Sequence, residues 1–387
     1  QVEKNSLLSF FNLLTGPELF AKVESLLPAH RERRFPPTET TAMFLTQVTS
    51  QDRSCRMIVD VAATQRLIGN LPLCSTGTSA YCQARDRLPT TMLSGLSGYV
   101  GQALAQQARP EWTWHGRPVR LVDGTILSLP DTQANQAAFP QPRSQRPGVG
   151  FPQCRLVGIV CLASGGILNA ATSACRGKGS DEQTLLRSIF DTLQPNDVLL
   201  GDALYASYFQ LCALRERGCD GLFAQHGGRI RTADFRLGQR LGQRDHLIVL
   251  EKPKRKPDWM NAQQYAQAPA TLQVRELKVG GTLLVTTVLC AKQASKADLH
   301  KLYKQRWNIE LDLRNIKTTL GMSQLRCKTP DMAIKEIWAY LLAYNLTRML
   351  MLQAALLVKC APRTLSFKHT IQMWQAWRAD GRADHDD

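Results

Sequence analysis

Apolar residues recur at helical spacing over residues 7–27, 41–68 and 81–104, with breaks at Pro36-Pro37 and around Pro72, which predicts an N-terminal region of short helices. From Val119 the pattern changes to runs of strand length. Strands are expected at 119–122, 156–162, 166–171, 198–200 and 221–224, the second and third joined as a hairpin across Ser164-Gly165-Gly166. Helices are expected at 181–193, opened by Ser180, and at 208–217. Residues 227–290 interrupt this order with strands at 247–250, 271–279 and 283–289, the last two separated by Gly280-Gly281. A helix without Pro or Gly follows over 298–320, with Ser295 as its cap and Gly321 as its stop, and further helices fill 337–358 and the stretch to Trp377.

Strands followed by alternating helices and strands make an α/β protein. The organisation expected is an N-terminal helical domain (1–115), the first part of an α/β domain (116–226), a basic β-rich insertion (227–290), the second part of the α/β domain (291–325) and a C-terminal helical region (326–387).

The 387 residues carry 48 Lys and Arg against 32 Asp and Glu, a net +16 with a pI near 9.6, so the partner sought is acidic: nucleic acid or an anionic membrane. The excess is concentrated late in the chain. Residues 227–301 hold 14 basic and 6 acidic groups, including the run Lys252-Pro-Lys-Arg-Lys256. The apolar stretch 337–358 includes Asn345, Thr347, Arg348 and Gln353 and so reads as a buried helix rather than a membrane span. Eleven cysteines without a CxxC pair, and no secretory leader, point to a reducing cytoplasm, and the seven histidines have no zinc-site spacing. Arg31, Arg33, Arg34, Arg85 and Arg87 fit either a helical DNA-contacting module or a plain bundle with solvated arginines.

The helix over 298–320 concentrates the chemistry. With Tyr303 at zero and about 100° per residue, Arg306, Glu310 and Lys317 fall near 300°, 340° and 320°, one stripe with Tyr303. Leu302, Ile309, Leu313, Ile316 and Leu320 form an apolar face beside it, whereas Asp312 lies near 180°, off the stripe. Arg306 and Glu310 alone would suit an ordinary surface i,i+4 pair. That reading leaves Tyr303, Lys317 and two strand-terminal aspartates, Asp123 and Asp202, without a role.

The spacing Tyr303-x2-Arg306-x3-Glu310-x6-Lys317 resembles the signature of DDE transposases of the insertion sequence 4 family. Two further segments match that family: Leu121-Val-Asp123-Gly-Thr125 resembles the context of its first catalytic aspartate, and Gly201-Asp202-Ala-Leu-Tyr205 that of its second. The 107 residues between Asp202 and Glu310 agree with members that carry a β insertion there, and the likeness covers about residues 30–370.

The resemblance implies a ribonuclease H-like catalytic domain with Asp123, Asp202 and Glu310 as catalytic residues and ligands of two Mg²⁺ ions, which Mn²⁺ can replace. It implies cut-and-paste transposition: nicking at terminal inverted repeats, a hairpin intermediate and strand transfer into target DNA, by a homodimer on paired transposon ends, with no membrane involved. Tyr303, Arg306 and Lys317 would then grip phosphates beside the cut, joined by Arg314. Trp259, in the basic insertion, is the candidate ring for a flipped base, or else a tryptophan packed in a small β core. Trp307 is expected in the core, and Tyr205, three residues after the second aspartate, in the lining of the site. The competing functions are a catalytically inactive or domesticated DNA-binding descendant and a sequence-independent nuclease.

Overall fold

A computed structural model describes residues 22, 24–27, 35–72, 74–146 and 148–380; most of the expected helix at 7–27, and Arg31, Arg33 and Arg34, lie outside the described residues. Four helices open the described chain: α1 (Pro37–Thr49), α2 (Cys55–Ile68), α3 (Ser79–Arg87) and α4 (Thr90–Gln106). Two stretches that read as continuous helices are thus each split. Ser54 caps α2 by accepting from the Met57 amide, and Pro89 ends the run before α4 because it has no amide to donate. Apolar spacing continues across both turns, so periodicity alone hides them. Arg85 is buried: it donates to Gln47 Oε1 at 3.1 Å and stacks on the Tyr81 and Phe44 rings, so it is neither solvated nor placed to meet DNA.

The described residues form a nine-stranded sheet in the order β3-β2-β1-β4-β5-β9-β8-β7-β6. Its first five strands are β1 (Val119–Ser128), β2 (Gln153–Cys161), β3 (Ile167–Ala174), β4 (Val198–Gly201) and β5 (Asp220–Ala224). Strands β6 (Gln239–Gly242), β7 (Asp245–Glu251), β8 (Thr271–Val279) and β9 (Thr282–Thr286) come from the basic segment and extend the same sheet, since β9 pairs antiparallel with β5. The pairs β1–β4 and β4–β5 are parallel. Helices α5 (Glu182–Ser188) and α6 (Tyr208–Glu216) supply the parallel crossovers.

Side chains alternate along β1. Val119 and Leu121 enter the larger core, and Val122 enters a second core with Leu185 and Leu186 of α5 and Leu211 and Leu214 of α6. The segment expected as one helix over 298–320 is three pieces: α7 (Lys296–Lys304), α8 (Trp307–Arg314) and a π turn, Asn315–Thr319. Ser295 caps α7 in a reciprocal box with Asp298. Between α7 and α8 the amides of Arg306 and Ile309 bond three residues back, to Tyr303 and Arg306, tightening the turn.

Through the larger core runs α9 (Pro330–Val358), and α10 (Phe367–Asp380) follows it. By length and composition α9 could cross a membrane, yet Ala333, Ile337, Leu342, Tyr344 and Leu352 are fully buried in the protein. Asn345 ties α9 to its neighbours: its amide donates to the Ser97 and Ile167 carbonyls and its oxygen accepts from the Ile167 amide. Gly101 lets α4 come this close to β3, because a Cβ there would collide with the Ile167 carbonyl.

Asp312 is fully buried two residues after Glu310. Arg348 donates to its Oδ1 and Arg363 to both oxygens, while the Arg348 Nε donates to the Tyr344 hydroxyl at 2.8 Å. Removing the carboxylate would leave two guanidiniums facing each other without an anion. Asp312→Ala is therefore expected to lower stability by about 3–5 kcal/mol, measured by denaturant unfolding against the wild type.

Candidate active site

Two aspartates are brought together by strand register. On the parallel pair β1–β4, Leu121 stands opposite Leu200, and Asp123 and Asp202 each follow two residues later, near enough for their charges to act on one another. Asp202 follows the carboxyl end of β4, where ligands of open α/β sheets bind, whereas β1 runs on past Asp123 to Ser128 rather than ending at 122 as expected, because β2 pairs with it from Arg120 to Ser128. Asp123 accepts from the Gly124 amide at 2.8 Å, and Asp202 caps the turn Ala203–Tyr205 by accepting from the Leu204 amide at 2.8 Å. Both carboxylates are half-buried.

The face of α8 that holds Ile309, Leu313 and the following Ile316 packs into the core on the Leu121 side of the sheet. That packing brings the polar stripe to the aspartates. Arg306 donates to Glu310 Oε1 at 2.9 Å; burial lowers its pKa, and Tyr303, Glu310 and Asp123 outweigh that and raise it. Tyr303 is half-buried, and burial raises its hydroxyl pKa, Arg306 opposes this and the nearby Asp202 adds to it. Lys317 donates to the Thr125 hydroxyl at 3.0 Å, two residues past Asp123. Tyr303, Arg306 and Lys317 thus come to the neighbourhood of Asp202 and Asp123 although the helix beneath them is broken, and Glu310 is held by Arg306.

Burial raises the Asp123 carboxyl to about 6; the Gly124 amide opposes this, Asp202 and Glu182 reinforce it and Arg306 opposes it. Glu182 was not visible from the sequence. It is the first residue of α5, and its Oε2 accepts from the Tyr205 hydroxyl at 3.1 Å. No spacing rule links it to Asp123, 59 residues earlier. Tyr205 itself is buried, with its hydroxyl donated to Glu182. Arg53 of the N-terminal region is a second unforeseen neighbour, donating to the Leu320 and Gly321 carbonyls at 2.9 Å. Arg53, Lys317 and Arg326 line a cleft of about 300 Å³ with Gly321 and Ser323.

Among the other expected residues, Arg314 is exposed on α8. Trp259 is 43% exposed, edge-on to Phe209 and covered on one face by the Arg187 guanidinium, 4.0 Å from the ring centroid. Trp307 is 59% exposed rather than in the core. At about 40° on the wheel it faces away from the apolar stripe, and phase outweighs aromatic size.

Among the described residues no three acidic, histidine or cysteine side chains stand close enough to cage an ion unaided. Two neighbouring carboxylates, one resisting ionisation, still suit a Mg²⁺ ion, which is commonly held by one or two carboxylates with waters and substrate phosphates. The raised Asp123 value favours the folded state fully below about pH 4, and that advantage is lost as pH rises through about 6. Without divalent ions, Asp123→Asn should therefore stabilise the protein at pH 7, by about 1–2 kcal/mol after allowance for solvent screening. Thermal unfolding in chelator should show the gain shrinking toward pH 4; a gain independent of pH would contradict the assignment.

The family model described as "Transposase DDE domain" matches residues 114–346, which include all three acids and the helix signature. The chain is 29% identical over 378 residues to the transposase InsG for insertion sequence element IS4 of Escherichia coli K12, covering 96% of this chain and 82% of that protein. It is 28% identical over 143 residues to the putative transposase InsZ of the same strain, 37% of this chain and 47% of that protein. Over 72 residues it is 35% identical to the transposase for insertion sequence element IS421 of Escherichia coli, 19% of each chain. The match across the sheet and the signature helix, with a relative aligned over nearly the whole chain, makes this protein a member of the DDE transposase family, of the insertion sequence 4 type.

Proposed function

We propose that this transposase excises and reinserts its element by cut-and-paste chemistry in a ribonuclease H-like catalytic domain, with Asp123, Asp202 and Glu310 as the acids of the reaction. The reading is carried by one observation above all: register sets Asp123 beside Asp202, and the side chain that pairs with Glu310 also acts on Asp123. These three residues would hold two Mg²⁺ or Mn²⁺ ions, which when bound activate the attacking oxygen and stabilise the leaving one.

Arg306 is the pivot of this reading. It pairs with Glu310 in the protein alone, and a DNA phosphate offers it a competing anion. As Arg306 turns to the phosphate, Glu310 is released toward the aspartates, so the acidic site is completed on DNA. Tyr303 and Lys317 hold the neighbouring phosphates, and the cleft between Arg53, Lys317 and Arg326 carries the strand onward toward the N-terminal helices. Arg314, exposed on the same helix, adds a further contact.

The insertion's basic strands lie on the β5 side of the site, and Trp259 among them is the ring for a base flipped out during hairpin formation. Its 43% exposure, with one face stacked on the Arg187 guanidinium, supports that role over burial in a β core. Two ends must be held together, so a homodimer on paired terminal repeats is the working assembly. The eleven cysteines are all unpaired thiols, in keeping with action in a bacterial cytoplasm.

The test is incubation with Mg²⁺ or Mn²⁺ and labelled duplex carrying the element's end. End-specific nicks and hairpins are expected, with Glu310→Gln reducing both by at least about a thousandfold. Binding without cleavage would favour a catalytically inactive descendant, and equal cleavage of any duplex a general nuclease. In the same assay Trp259→Ala should retain nicking and lose hairpin; loss of neither would remove it from the reaction.

A further inference from the structure

We infer that Glu182 is a positioning residue of the catalytic centre, a brace that sets the two aspartates from the opposite face of the sheet. This rests on the function proposed above. The helix it begins, α5, is capped by Asp181, which accepts from the Thr184 amide and hydroxyl, and is anchored by Leu185 and Leu186 in the Val122 core. Its first two side chains then reach both aspartate-bearing elements.

On β1, Glu182 lies directly against Gly124. A Cβ at that position would stand 2.6 and 2.7 Å from its two carboxylate oxygens, so a side chain there would push the carboxylate aside. After β4, it accepts from the Tyr205 hydroxyl at 3.1 Å, and Gln183 donates to the Leu204 carbonyl at 2.6 Å. Asp202 accepts from the amide of the same Leu204. Glu182 and Gln183 therefore hold the 203–205 turn, and with it the orientation of Asp202, relative to the strand that carries Asp123.

Alternation of side chains puts Gly124 on the Val122 side of the sheet, opposite the face toward which Asp123 points. Glu182 thus acts through Gly124 and Tyr205 and not as a ligand. Its side chain is 22% exposed, and the cation paired with it, Arg155 Nη1, is 3.8 Å away. A charge so poorly compensated, placed where it repels Asp123, adds little to stability, and its contacts account for its presence better than its charge does.

The contacts can be separated from the charge. Glu182→Gln keeps the shape and an acceptor for Tyr205, and Glu182→Ala removes both. A brace predicts nicking within a few-fold of wild type for Glu182→Gln and a loss of about 10–100-fold for Glu182→Ala, the range typical of groups supporting metal ligands. Gly124→Ala displaces the carboxylate without deleting it; it should reproduce the Glu182→Ala loss and add nothing to it in the double variant. Circular dichroism melts identify variants that fail to fold.

Mn²⁺ binding followed by electron paramagnetic resonance on the end-bound protein supplies a readout independent of turnover, with weaker binding expected for Glu182→Ala and near-normal binding for Glu182→Gln. Equal damage from Gln and Ala would make Glu182 a direct ligand and overturn the inference, as would wild-type behaviour of Glu182→Ala. If wild-type protein does not nick its ends, the proposed function fails, and the Mn²⁺ titration still decides the role of Glu182.

Discussion

Asp312 has been withdrawn from water and is held by Arg348 of α9 and by Arg363 beyond it. A buried carboxylate tolerates such a place only when its charge is matched and its lone pairs are filled, and two guanidiniums do both. The consequence reaches the site, because Asp312 and Glu310 lie on one short helix. Anchoring Asp312 fixes the roll of α8, and with it the place of Glu310 and of the Arg306 that pairs with it and acts on Asp123. Arg348 also donates to Tyr344, whose hydroxyl donates to the Gly165 carbonyl, so the same network reaches the hairpin between β2 and β3.

Against that rigid support the acids themselves are poorly satisfied. Asp123 sits partly desolvated beside Asp202 and Glu182, with one backbone amide and the distant Arg306 as compensation. The arrangement sacrifices stability where a divalent cation and phosphates would be received. Arg306 has a double connection, to Glu310 by a hydrogen bond and to Asp123 by its charge.

The breaks in the signature helix have a physical use. A straight helix carries residues 303 and 317 through about four turns, some 21 Å. The tightened turn at Gln305–Arg306 and the π turn after Arg314 alter its phase and path, and Tyr303 and Lys317 both reach the aspartate strands. Helix-wheel reasoning located the stripe because each irregularity shifts the phase by only part of a turn. Trp307, expected in the core for its residue type, is exposed as its phase of about 40° dictates.

The sequence by itself determined the local chemistry: the capping box at Ser295, the stripe Tyr303-Arg306-Glu310-Lys317, and the strand that ends just before Asp202, since periodicity and caps act within a few residues; the first strand runs five residues past Asp123 because its partner β2 lies elsewhere in the chain. Also legible were the buried character of α9 and the β-rich nature of the basic insertion. Only the tertiary structure decided that the insertion strands continue one sheet, that Arg85 is buried, and that Asp312 and Glu182 stand behind the site. Those facts depend on which surfaces meet across tens or hundreds of residues. Such contacts follow from packing and charge matching in three dimensions and leave no fixed spacing along the chain.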